Sequence, residues 1–169
     1  MEMQTLKDLY VEQLRDLYSA ESQLIEALPK MAKAATHAEL RTSFEAHLEQ
    51  TKRQREDVAK IIEDLGAKPK GHECQAMKGL IKEGQELLDK KGKADPDVLD
   101  AGLIAAAQRI EHYEIAGYGT VCTYAKTLGE TKAEGILHRI AGEEGDTDKK
   151  LTRLAERVIN RDAMQGAAD

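Results

Sequence analysis

The chain has 169 residues and 18.7 kDa, 41% hydrophobic and 33% charged, with three prolines, one phenylalanine and no tryptophan. That length suits one domain with a core of Leu, Ile, Ala and Met, and long stretches of Ala, Leu, Glu, Lys and Gln exclude an all-β fold, which needs many short strands rich in aromatic and β-branched residues. Twenty-five basic and 31 acidic residues give a net charge of −6 with the signs interspersed and not collected into a basic arm, so nucleic acid is not an expected partner.

No apolar run approaches the roughly 18 residues of a membrane span, and MEMQTLKDLY lacks the basic patch and apolar stretch of a secretion signal. A cytoplasmic protein with no membrane partner is expected. Cys74 and Cys122 have no CxxC partner, which suggests buried thiols rather than a disulfide or a structural zinc site.

In chain order, Gly and Pro punctuation predicts a first long helix over Thr5–Ala35 and a second over Ala38–Leu65. The break Gly66-Ala67-Lys68-Pro69-Lys70-Gly71 leads into a shorter helix over Glu73–Lys90, and a second break spans Gly92–Pro96. A third long helix covers Asp97–Leu128 with Gly129 as its C-terminal cap, and a fourth runs over Thr131–Arg161. One domain over 1–163 with a tail at 164–169 follows. Two long helical pairs joined by a long crossover have the connectivity of ferritin-like four-helix bundles; simple up-down bundles use short loops throughout. Pro29, inside the first helix, predicts a kink.

Alternating steps of four and three place one stripe on each helix. The first is Tyr10, Leu14, Leu17, Glu21, Leu24, Leu28, Met31, Ala35, and the second Leu40, Phe44, His47, Thr51, Gln54, Val58, Ile61, Leu65. The third is Leu103, Ala107, Ile110, Glu114, Gly117, Val121, Tyr124, Leu128, with Glu111 one turn before Glu114. The fourth is Ala133, Leu137, Ile140, Glu144, Thr147, Leu151, Leu154, Val158, with Asp148 one turn beyond Glu144. Every stripe turns polar near its middle.

An unpartnered carboxylate in an apolar core costs several kcal/mol against a total stability of about 5–15 kcal/mol, and the stripes hold no basic residue except His47. Bound cations resolve the conflict, and carboxylates with imidazole suit iron or manganese. The candidate ligands are Glu21, His47, Glu111, Glu114, Glu144 and Asp148. Any single acid has the alternative reading of an edge residue whose head reaches water. Tyr18 and Tyr118 sit one turn from Glu21 and Glu114, where a hydroxyl can serve a liganding carboxylate or simply fill the core. His112 points about 100° from Glu111, toward the surface or the rear of the site. His37, His72 and His138 show no acidic surroundings.

The segments LYSAESQL, AHLEQT, CQAMKGLIKE, AAAQRIEHYEIAGYGT and GEEGDTDKKL resemble, in this order and over nearly the whole chain, the YciF-type bacterial stress-response proteins of the ferritin-like superfamily. The resemblance implies a four-helix bundle with a crossover helix, a homodimer, a dinuclear metal centre and a link to bacterial stress. Ferritins and rubrerythrins supply Glu-x-x-His from two helices. This chain has no such motif: Glu111-x-x-Glu114 stands on the third helix, Glu144-x-x-Thr147 on the fourth, and Asp148 is a substitute for the missing histidine. Glu49 rivals His47 through its place in the family segment, yet falls about 200° from Thr51.

The leading expectation is therefore a dinuclear iron or manganese protein with oxidase or peroxide-consuming chemistry if the pair is redox-active. Its rival is a metal-free bundle serving as a structural or partner-binding module, whose polar layer sets helix register. A hollow storage or DNA-protecting cage ranks below both.

Overall fold

The structure is a computed structural model that describes residues 3–165. Four long helices form the bundle: α1 (Leu6–Ala34), α2 (Ala38–Asp64), α4 (Pro96–Leu128) and α5 (Thr131–Leu154). The shorter α3 (Gln75–Leu88) lies in the crossover, and a π turn (Ala155–Ile159) carries α5 into α6 (Asn160–Gln165). The expected element order holds throughout. Of the expected tail, positions 166–169 lie outside the described residues.

Local chemistry explains the helix ends. Thr5 and Asp8 form a reciprocal capping box: the Asp8 N–H donates to Thr5 Oγ1 at 3.1 Å and the Thr5 N–H to Asp8 Oδ2 at 2.9 Å. Asp95 caps α4 ahead of Pro96, whose missing N–H costs nothing in the first turn. Gly129 closes α4 at φ 75°, a left-handed conformation that glycine adopts without strain.

The short turn from α1 to α2 is held from outside. Buried Asp100 of α4 accepts from the Thr36 N–H at 3.0 Å, the Thr36 hydroxyl at 2.7 Å and the His37 N–H at 2.7 Å. The crossover is similarly tied: the Cys74 N–H donates to Ser19 Oγ at 2.9 Å and the Gln23 amide to the Cys74 carbonyl at 3.0 Å.

Helices α1 and α2 pack as one pair and α4 and α5 as another, with α1 against α4, α2 against α5, and α3 across α1 and α4. The apolar core falls into two clusters. One includes Leu24, Leu28, Phe44, Leu103, Ile110 and Leu151; the other includes Leu14, Leu17, Val58, Tyr118, Val121 and Ile140.

The expected stripes are buried along most of their length. They diverge at their ends for two reasons. On α4, Ala125 is buried in place of Tyr124, because a repeat of 3.5 drifts against 3.6 residues per turn. After α5 the π turn accommodates one extra residue, so Ile159 takes the buried place expected for Val158.

Candidate metal centre

The two apolar clusters are separated by a polar layer to which all four long helices contribute. On α1, Glu21 falls between Leu17 and Leu24, which belong to different clusters; on α4, Glu111 and Glu114 fall between Ile110 and Tyr118. Glu144 lies between Ile140 and Leu151 on α5, and His47, Thr51 and Gln54 between Phe44 and Val58 on α2. Helical periodicity turns every one of these side chains inward, and the packing of the helices brings them to one depth between the two clusters. Glu21 and Glu144 are 0% exposed, Glu111 and Glu114 1% and His47 5%, and the buried residues include no lysine or arginine among the described residues.

His47, Glu111, Glu114 and Glu144 each offer one ligand atom, and these atoms all lie within 4.8 Å of one another. His47 Nε2 stands 3.1 Å from Glu111 Oε1 and 4.0 Å from Glu144 Oε2, out of line for a hydrogen bond. The Gln54 amide donates to Glu144 and, at 2.9 Å, to Glu143 Oε2. The Tyr118 hydroxyl donates to Glu21. Both oxygens of Glu114, both ring nitrogens of His47 and one oxygen each of Glu21, Glu111 and Glu144 are buried with no hydrogen-bond partner.

Burial pushes Glu111 and Glu144 up to about 8. Glu21 and Glu114 are raised well above the usual carboxylate range, first by burial and then by neighbouring carboxylates, Glu144 on Glu21 and Glu21 on Glu114. Without a cation these groups hold protons that they would shed in water. The carboxylates and imidazole of His47, Glu111, Glu114 and Glu144 form a hard-to-borderline donor set, bring ligand atoms close together and lack a basic counterpart, so they fit a divalent transition metal.

The other expected residues occupy distinct places. Glu21 shares the layer, beside the group of four and bonded to Tyr118, which reaches across from α4 instead of serving Glu114. Asp148 lies at the margin, where Gln108 donates to its Oδ1 at 3.0 Å and His112 Nε2 stands 3.4 Å away. Glu49 is exposed and pairs with Lys52 at 2.6 Å. His112 is 68% exposed, in keeping with its expected outward direction.

Three features depart from expectation. His72 is not remote from acids, because the crossover folds it between Glu12 at 3.0 Å and Asp16 at 2.9 Å. Cys74 is buried, but Cys122 is only half-buried, its thiol 3.7 Å from the Glu134 carbonyl of α5. Sequence reasoning also missed the contacts of Tyr113, whose hydroxyl donates to Asp16 and lies 3.0 Å from Cys74 Sγ. Gln54 was visible as a polar stripe position seven residues after His47, though not as the donor to Glu144.

Comparison with known proteins places these residues in context. The DUF892 family, described as a domain of unknown function, matches residues 5–164. Protein YciF of Escherichia coli (strain K12) is 45% identical over 168 residues, covering 99% of this chain and 100% of YciF. The crystal structure of that E. coli stress protein superposes with a TM-score of 0.88, covering 94% of this chain and 99% of the other. YcfI from Rhodopseudomonas palustris, for which a structural role has been suggested, matches at 42% identity and a TM-score of 0.83, covering 89% and 95%. A Xanthomonas campestris protein at 20% identity shares the fold with a TM-score of 0.76, covering 95% and 98%.

Proposed function

The chain belongs to the DUF892 family and is of YciF type, and from that premise we propose that it is a ferritin-like dinuclear iron or manganese protein of the bacterial stress response. The observation that carries this reading is the set of unpartnered buried atoms on Glu21, His47, Glu111, Glu114 and Glu144, drawn from four helices to one depth with no buried lysine or arginine beside them. His47, Glu111, Glu114 and Glu144 would hold the first ion. Glu21 faces the same carboxylates and would complete a second position, with Tyr118 orienting it; Asp148 would act from the margin through its charge on Glu111.

Iron or manganese in such a site supplies one-electron and oxygen chemistry, the basis for an oxidase or peroxide-consuming activity. The protein's own contribution is a dry layer between two apolar clusters, in which Gln54 fixes the orientation of Glu144 and Tyr118 that of Glu21. The stress role follows the name of the E. coli relative.

A metal-free module is the second reading, favoured by one observation: with Glu111 and Glu144 at about 8, a neutral layer of protonated acids survives at pH 7. Metal analysis separates the two. Chain refolded or purified without chelators and offered ferrous or manganous ion is expected to retain up to two ions per chain after gel filtration. Folded protein that retains none sinks the metal reading.

A further inference from the structure

A cavity of about 550 Å³ lies along the α2 and α5 side of the bundle and reaches the polar layer. At its inner end stand His47 and Glu111, both buried, the ring nitrogens of His47 without a partner. One part of its wall is apolar, formed by Leu24, Leu28, Met31, Phe44, Ile110 and Leu151, and polar side chains line the rest. Small-molecule sites have this form: a few hundred to about a thousand Å³, apolar walls and a few convergent polar groups.

Charge at the mouth is uneven in availability. Glu143 is held by Arg139 at 2.7 Å and by the Gln54 amide, and Asp146 lies 3.8 Å from Lys149. Lys150 and Arg153 are exposed, line the cavity and make no ion pair among the described residues. Arg157, paired with Glu39, and Arg161 extend the same basic face. At about 1.5 Å per residue, Lys150 and Arg153 stand about 9 and about 13 Å along the α5 axis from Glu144.

We propose that this cavity binds an anionic amphiphile, a medium-chain carboxylate, with its head group on Lys150 and Arg153 and its alkyl chain laid along the apolar wall toward His47. The orientation follows from charge complementarity. Unpaired cations mark the outer end, and among the described residues the buried inner end offers no lysine or arginine to a carboxylate. The proposal rests on the metal reading only in making the chain terminus the part that meets the metal centre; binding itself needs the cavity and the two cations.

Isothermal titration with decanoate tests it, on both metal-loaded and metal-free protein, with decyltrimethylammonium as the probe of opposite charge. One decanoate per chain is expected and no saturable binding of the ammonium probe. Lys150→Glu combined with Arg153→Glu is expected to weaken decanoate roughly tenfold or more, since both charges then repel the head group. Ala46→Trp, at an exposed position on the mouth, is expected to abolish binding with the helical circular dichroism unchanged. Decanoate binding that survives both variants, or equal binding of the ammonium probe, overturns the proposal. So does an Ala46→Trp protein that sediments as a monomer where the parent is a dimer, because the face then belongs to a second copy. Metal content measured on the same samples keeps the two readings apart: decanoate without metal uptake refutes the metal centre alone, and metal without decanoate refutes the cavity ligand alone.

Discussion

Glu144→Gln in the metal-free protein tests whether the acids of the layer titrate as buried groups. Glu144 is pushed up to about 8 by burial, from an ordinary value of 4.5. Between those values the folded chain carries a proton at this residue that the unfolded chain has lost. Stability is intact below the unfolded value and is lost as pH rises through the folded one, at about 1.4 kcal/mol per pH unit for each such proton. Glu111 adds a slope of the same sign. Glutamine is nearly isosteric with the protonated acid, can offer its carbonyl to the Gln54 amide and does not titrate. Metal-free Glu144→Gln should therefore match the parent near pH 5 and lose stability less steeply above it, the slopes differing by about 1.4 kcal/mol per pH unit between about pH 5.5 and 7.5. Over that window the variant gains roughly 3 kcal/mol on the parent, a large share of the 5–15 kcal/mol that holds an ordinary domain together. Urea unfolding of chelator-treated protein at three pH values measures both slopes. Parallel profiles for parent and variant would refute the reasoning.

Metal uptake should tighten with rising pH over the same range and release protons, since the ligands must ionise to bind; titrations in buffers of different ionisation enthalpy count the protons, and a pH-independent affinity contradicts the site. Saturating metal should raise the melting temperature by roughly 5–10 °C, corresponding to about 2.7 kcal/mol at a hundred times the dissociation constant; an unchanged melting temperature supports the metal-free module. Glu21→Gln and Glu144→Gln should lose or strongly weaken metal binding, whereas the exposed controls Glu63→Gln and Glu156→Gln retain it; full occupancy in both test variants counts against the ligand set. Asp100→Ala removes three charge-assisted hydrogen bonds from the α1–α2 turn and should cost about 3–5 kcal/mol in urea unfolding; a loss under about 1 kcal/mol would show that the turn holds without them.

The polar layer was legible in the sequence because inward direction is a property of one helix at a time. Glu21, His47, Glu114 and Glu144 each interrupt an apolar stripe, Glu111 lies one turn before Glu114, and periodicity turns all five inward. What joins different helices was not legible. Asp148 follows Glu144 by one turn, but α4 supplies Gln108 and His112 at the margin and engages it there. Tyr118 meets Glu21 across the bundle, a pairing 97 positions apart that no local spacing encodes. His72 acquires its acids only when the crossover returns along α1. Asp100 looked like any polar position near a helix start, since its partners lie on a turn more than 60 positions earlier.

The π turn at Ala155–Ile159 bears on how this chain can vary in length. An α-helix continuing the Leu151 and Leu154 face would bury its next contact at position 158, and here residue 159 occupies that place. The exposed Glu156 sits within the turn. Deleting Glu156 would convert the turn to regular helix and carry Ile159 into position 158 with its packing kept, whereas a one-residue deletion within α5 would rotate everything beyond it by about 100° and expose Leu151. Lineages that differ by one residue at this point can thus share the same bundle, and a gap in an alignment of relatives at 155–159 would mark length absorbed by the helix without any shift at the polar layer.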